Sequence, residues 1–269
     1  MRIIRSEFLK IFTLRTWWVL IIIMVGYVGV TAAILGGGIM LADNLTGGTL
    51  SSGIGTQGVQ MAYATALSVG YVFPLLVGAL SISGEYRFST IIPTFLLTPK
   101  RSSVLGAKLL TQFVMGLIYG ALAFIAAVLA SVFFFIAAGH DTGFSDFETW
   151  AIIIRGTFAM AIWAMIGVGL GVLVRNQTAV IIIAIGFTQF LEPILRVLAL
   201  FNDVTANIGK FLPGAASEAL CGVSMYSQIS LGADSLGGLP WWAGALVLLG
   251  YAALTALIGY WTRWTKDTA

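Results

Sequence analysis

Charge is what this sequence lacks. Asp, Glu, Lys and Arg make up 9% of its 269 residues, where soluble domains carry about 25%. No Asp, Glu, Lys, Arg or His occurs between Arg15 and Asp43, between Asp43 and Glu85, between Lys108 and His140, or between Arg155 and Arg175. Each gap is long enough to cross a hydrocarbon core of roughly 30 Å, which takes about 20 helical residues. With a mean hydropathy of +0.98, the chain cannot cover a globule with polar side chains. A soluble fold is excluded, and lipid must be the solvent for much of the surface.

Other absences narrow the chemistry. Cys221 is the single cysteine, so no intrachain disulfide can form. His140 is the single histidine and no His-Glu-x-x-His pattern occurs, which argues against intramembrane zinc or cysteine chemistry. No Gly-rich P-loop followed by Lys-Ser or Lys-Thr is present, so ATP is not bound here by a Walker motif. Ionisable groups within the apolar runs are nearly missing, whereas a proton-coupled carrier needs them. Glu192 is the only acidic residue placed near a membrane interior. The expectation is a non-enzymatic chain with no cofactor or metal of its own. No internal repeat is visible, including the 3+3 inverted repeat of many secondary carriers.

What is present is a series of continuous apolar runs, such as Trp17 to Met40 and Leu109 to Gly139. In lipid every backbone polar group needs an internal partner, and unbroken runs satisfy this as helices, not as alternating barrel strands. The expected fold is an all-α polytopic membrane protein, one transmembrane domain over 1–269, with spans at 17–39, 61–83, 109–138, 156–174, 177–199 and 241–262. The first apolar run is too long for the core of a cleaved signal peptide.

The excess of positive charge does not point to nucleic acid, because of where it lies. With the N-terminus inside, Arg2, Arg5, Lys10, Arg15, Arg87, Lys100, Arg101, Lys108, Arg175, Arg263 and Lys266 are cytoplasmic. Only Arg155, Arg196 and Lys210 fall outside, together with most of the acids. This is the positive-inside pattern, and it puts both termini in the cytoplasm.

Residues 2–14 read as an amphipathic helix lying in the cytoplasmic interface, with Ile4, Phe8, Ile11 and Phe12 on one face and Arg2, Arg5 and Lys10 elsewhere. Trp17 and Trp18 at one end of the spans, and Trp241, Trp242, Trp261 and Trp264 at the last span, suit interfacial belts. Gly167, Gly169 and Gly171 supply a small-residue spacing that lets helices approach closely. Glu192 and Arg196, four residues apart, can pair on one helical face. The favoured reading instead has span five leaving the hydrocarbon near Leu191, with 192–240 as external or re-entrant helical structure.

The segment Gly84-Glu85-Tyr86-Arg87-Phe88-Ser89-Thr90-Ile91, followed by Phe95-Leu96-Leu97-Thr98-Pro99-Lys100-Arg101 and Ala107-Lys108, resembles the signature after the second span of permeases in the type-2 export family of ATP-binding-cassette (ABC) transporters. Ser89 stands where that family frequently has Gly. Ser6-Glu7-Phe8-Leu9-Lys10 ahead of Arg15-Thr16-Trp17-Trp18, and Leu212-Pro213-Gly214-Ala215-Ala216, are also similar to it. The resemblance implies a permease subunit of a bacterial plasma-membrane exporter, working as a homodimer or a heterodimer of related chains. ATP and magnesium would sit on a separate ATPase subunit. Residues 84–107 would be the coupling segment, with Glu85, Tyr86, Arg87, Phe88, Thr90, Phe95, Pro99, Lys100 and Arg101 touching that ATPase. The N-terminal helix, through Arg5, Glu7, Phe8 and Lys10, would flank the contact.

Other roles remain open for some of these residues. Glu85 can equally pair with Arg87 or cap a helix, and Lys100 and Arg101 can be topogenic charge alone. Gln112, Tyr119, Thr157 and Gln189 are candidates for lining a pathway or for hydrogen bonds between helices. Rival readings of the whole chain are an autonomous carrier or channel, and a membrane scaffold or immunity protein that does not transport.

Overall fold

The computed structural model describes residues 2–45, 51–97, 100–199, 203–223 and 239–264. Among these, every regular element is helical. In chain order they are α1 (Arg2–Thr13), α2 (Thr16–Leu45), α3 (Ser51–Gly70), α4 (Val72–Arg87), α5 (Ile91–Leu97), α6 (Arg101–Ala137), α7 (Phe147–Leu173), α8 (Gln177–Ile185), α9 (Glu192–Ala199), α10 (Asp203–Gly209), α11 (Pro213–Cys221) and α12 (Trp241–Gly259). Two π-helical turns, Gly186–Leu191 and Tyr260–Trp264, complete the set. Six stretches are long and apolar enough to cross a membrane: Thr16–Ala42, Thr56–Arg87, Arg101–Ala137, Phe147–Leu173, Gln177–Ala199 and Trp241–Trp264.

These helices overrun the spans drawn from charge-free gaps. The third begins at Arg101 instead of 109, and the fourth at Phe147 instead of 156. A charge gap marks only what hydrocarbon tolerates, and a helix continues beyond it wherever its polar side chains find partners. At 37 residues, α6 is about 55 Å long. It exceeds the hydrocarbon thickness and carries its charged first turns into the neighbouring layer.

The second and fourth spans form the middle of the molecule, with 78% and 72% of their most apolar windows buried. The first and fifth are peripheral at 22% each. Glycine brings the central pair together. A methyl added at Gly78 of α4 would collide with the Ala164 carbonyl oxygen of α7, and one at Gly167 of α7 with the Leu75 carbonyl oxygen of α4. The small residues of α7 thus serve close backbone approach, as in other membrane helix pairs.

Proline explains two irregularities. Pro74 has no N–H for the carbonyl four residues back, and the second span changes register between α3 and α4 at Tyr71. Pro193 has the same effect on span five, where the turn before it widens so that the Glu192 N–H donates to Phe187 O. The helix of span five does not stop at Leu191. It runs through the π turn into α9, because Glu192 and Arg196 are both paired inside the protein.

One end of the bundle gathers α1, the end of α4, α5, the start of α6, the α7–α8 turn and the turn after α12. It bears Lys10, Arg87, Arg101, Lys108, Arg175 and Arg263, and is termed here the basic face. Backbone oxygens close it: Arg101 Nη1 donates to Trp264 O at 3.1 Å, Trp264 Nε1 to Arg101 O at 2.9 Å, and Arg175 Nη2 to Arg263 O at 2.8 Å. Trp264 is therefore a buried wedge, not a lipid-facing anchor, whereas Trp261 is exposed as a belt residue would be.

Candidate functional site

Four charged residues of the basic face assemble into a ring. Lys108 Nζ, from α6, lies 2.7 Å from Glu7 Oε2 of α1 and 2.9 Å from Glu85 Oε1 of α4. Lys10 Nζ, also from α1, lies 2.8 Å from Glu7 Oε1 and 2.8 Å from Glu85 Oε1. It further donates to Thr94 Oγ1 of α5 at 3.2 Å. Glu7, Glu85 and Lys108 are buried. Two carboxylates and two ammonium groups balance, which is the condition for burying charge at tolerable cost.

Burial raises the Glu7 carboxyl, but the ammonium of Lys108, with that of Lys10, outweighs it and holds Glu7 below its ordinary value. Burial likewise lowers Lys10, but its bonds to Glu7 and Glu85 leave it above its ordinary value.

The inward side of α1 carries Glu7. Phe12 is half exposed, and only Ile11 of the apolar set joins the core. Buried acid can face inward there because α6 presents Lys108 to it. Glu85 does not pair with Arg87, which instead donates from Nη1 to Gln177 Oε1 at 3.1 Å and covers the Phe88 ring at 5.5 Å. Helix geometry explains this: residues two apart point to different sides.

After α4 the chain turns sharply. Ser89 has φ of +55°, the left-handed conformation that glycine adopts without penalty. The turn leads into α5, whose inner side is docked: Ile91 is buried, and Phe95 meets Trp264 edge-on at 5.1 Å between ring centroids. Arg101 lies over the same Phe95 ring at 5.1 Å. The outer side is bare, with Ile92 at 50% and Leu96 at 80% exposure, and Phe88 in the preceding turn is 64% exposed. Lys100 and Thr90 are exposed beside it, and Tyr86 is half-buried under Arg175. Pro99 lies outside the described residues.

The remaining sequence candidates scatter. Arg5 is exposed, and Phe8 is half-buried against Phe12. Tyr119 is fully buried and donates to Trp17 O at 2.7 Å, tying α6 to α2. Thr157 donates to Ile153 O of its own helix at 2.8 Å. Gln189 sits half-buried in the π turn of span five. Gln112 alone borders a cavity, of about 530 Å³, between α1, the start of α2 and the end of α4.

A second buried charge cluster lies on span five. Arg196 donates from Nη2 to Glu192 Oε1 at 3.1 Å and from Nη1 to Glu218 Oε1 of α11 at 2.8 Å. The Gly214 N–H donates to Glu192 as well, and Tyr71 Oη donates to Thr188 O at 2.9 Å and lies 3.4 Å from Glu192 Oε2. This cluster holds α11 against the bundle. Helix α11 is largely buried, with Cys221 Sγ 3.6 Å from Ile152 O of α7.

The sequence marks Lys108 as a cytoplasmic cation and as part of the motif, and gives no site role to Tyr71 or Glu218. A lysine retained at the edge of a long apolar run was the one available signal for Lys108. Compared with known proteins, the chain matches no family model and no curated protein.

Proposed function

We propose that this chain is the membrane-spanning permease subunit of an ABC-type exporter, paired with a second copy or a related chain and driven by a separate ATPase that docks on the basic face. The observation that carries this reading is α5. Its inner side is packed into the bundle while Phe88, Ile92 and Leu96 project outward at the end of the protein richest in cations. Bare apolar side chains between Arg87 and Lys100 suit a protein partner, since large apolar anchors within a charged rim dominate interfaces. The resemblance of residues 84–108 to the type-2 export family supports the same assignment and supplies the direction of transport.

Mechanically, α5 is coupled to the spans at both ends. Phe95 transmits through Trp264 to the last span, and Lys10 bridges Thr94 to Glu85 of the second. A push on α5 would therefore reach α4, α6 and α12 as one body. ATP and magnesium belong to the partner. The positive-inside pattern supports a cytoplasmic basic face, and the family resemblance adds the bacterial plasma membrane to this reading.

The test is isolation of the chain from its native membrane in mild detergent, with partner mass and ATP hydrolysis read together. A stoichiometric ATPase is expected, and Ile92→Asp with Leu96→Asp should release it while membrane insertion persists. Retention of the ATPase by that variant would overturn the docking site. Ion-gradient transport by the purified chain alone would overturn the permease reading.

A further inference from the structure

The cavity beneath α1 has walls of two kinds. Ile11, Leu14, Val77 and Leu80 form an apolar side, while Lys10, Arg87 and Thr90 supply polar groups. Its volume of about 530 Å³ lies in the range of small-molecule sites, about 300–1,000 Å³. Leu14, Thr16 and Trp17 border it where α1 gives way to the first span. That is the level at which lipid head groups meet acyl chains.

Its charge is not balanced. Glu7, Glu85, Lys10 and Lys108 cancel within the ring. Arg87 adds a positive charge with no carboxylate partner among the described residues, its guanidinium meeting only the Gln177 amide oxygen and the Phe88 ring. The indole Nε1 of Trp17, another bordering residue, is enclosed with no acceptor. Glu85 Oε2 and Gln112 Oε1, which also border the cavity, are enclosed with no donor. The cavity thus offers the Arg87 guanidinium and the Trp17 N–H beside two acceptors at one side, and an apolar wall at the other.

We propose that this groove binds one phospholipid of net negative charge from the leaflet on the basic face. Its phosphodiester lies against Arg87, whose planar guanidinium matches phosphate oxygens in a fork. Lys10 and Thr90 flank the head group, and the upper acyl chain covers Ile11, Leu14, Val77 and Leu80. A net-neutral, zwitterionic lipid would bring its own ammonium group toward Arg87 and Lys10. A soluble phosphate would leave the apolar wall bare. The inference does not rest on the transporter reading, since lipid capture needs no ATPase.

The experiment is native mass spectrometry of the purified full chain with equal amounts of phosphatidylglycerol and phosphatidylcholine of matched acyl chains. One phosphatidylglycerol per chain should be retained roughly tenfold over phosphatidylcholine, as expected for a charge-assisted contact. Arg87→Gln should remove that preference. Arg5→Gln, which deletes the same charge from an exposed site outside the groove, should keep it. Unchanged thermal unfolding of Arg87→Gln without lipid shows that the fold survives. Equal retention of the two lipids, or equal loss in both variants, would overturn the proposal in favour of diffuse attraction. Displacement by glycerophosphate at similar concentration would overturn it in favour of a soluble-anion site.

Discussion

Lys108 and Glu7 are 101 residues apart in the sequence, and their charged atoms are 2.7 Å apart in the fold. With Glu85 they bind the N-terminal helix to the second and third spans through groups that have almost no contact with solvent. The bond is strong because it is enclosed, and fragile for the same reason. Removing Lys108 leaves two enclosed carboxylates sharing the single ammonium of Lys10.

Lys108→Met should therefore destabilise the protein by about 3–5 kcal/mol, the usual cost of stranding a buried charge. Adding Glu85→Gln should recover part of this loss, so that the double variant costs less than the two single changes summed. Unfolding in detergent, with protease cleavage near α1 as a second readout, checks both. Independent effects of the two substitutions would show that the ring does not act as a unit.

The docking of α1 should depend on pH at both extremes. Glu7 ionises in the fold below its ordinary 4.5, so its contribution is complete above that value and is lost as pH falls through the lower, folded value. Lys10 sits above its ordinary 10.5, so its contribution is complete below 10.5 and is lost as pH rises through the higher, folded value. A fluorophore on Arg5→Cys should report an immobile α1 across the neutral range and release at either end. In a Glu7→Gln background the acid transition should lose the Glu7 contribution.

Gly78→Ala and Gly167→Ala each place a methyl against a backbone oxygen of the opposite helix, where no rotamer change relieves it. A loss of about 1–3 kcal/mol is expected for each, as for other overpacked sites. Gly106→Ala, where a methyl meets nothing within 4 Å, should be neutral or gain up to about 1 kcal/mol from helix propensity. Thermal melts of the three variants compare them directly.

Cys221 offers a reporter for α11. Burial pushes its thiol up to about 12, so it should resist maleimide in the folded protein and react after denaturation. Arg196→Met leaves Glu192 and Glu218 facing each other without their shared cation, and should open α11 so that Cys221 is alkylated under native conditions. Continued protection in that variant would show that apolar packing alone holds α11.

Ser89→Gly should raise stability by up to about 1 kcal/mol, because it relieves a left-handed backbone at a non-glycine residue. Partner binding by α5 would survive the change if the turn only needs that conformation.

Much of this architecture was legible before any coordinates. Charge-free runs located six spans, and clustered Lys and Arg marked one face of the bundle. The site was less legible. Glu85 reads as a surface residue in a polar cytoplasmic segment, yet it is buried, because α1 and α6 fold over it with a cation each. Glu192 and Arg196 read as the end of a span, yet the helix continues, because Tyr71 from the second span and Gly214 and Glu218 from α11 satisfy them. Apolar periodicity carries no record of such partners.

Composition alone determined that the chain is helical and made for a bilayer, since hydrocarbon forbids unpaired backbone and rejects charge wherever it occurs. Which charges are solvent-facing and which are buried was decided only by the tertiary structure. A lone Glu or Lys in a low-dielectric layer is stable only beside its complement, and the complements here lie up to 101 residues away. The bilayer sorts residues one by one, which a sequence displays. Ion pairs form between segments, which only the packed helices bring together.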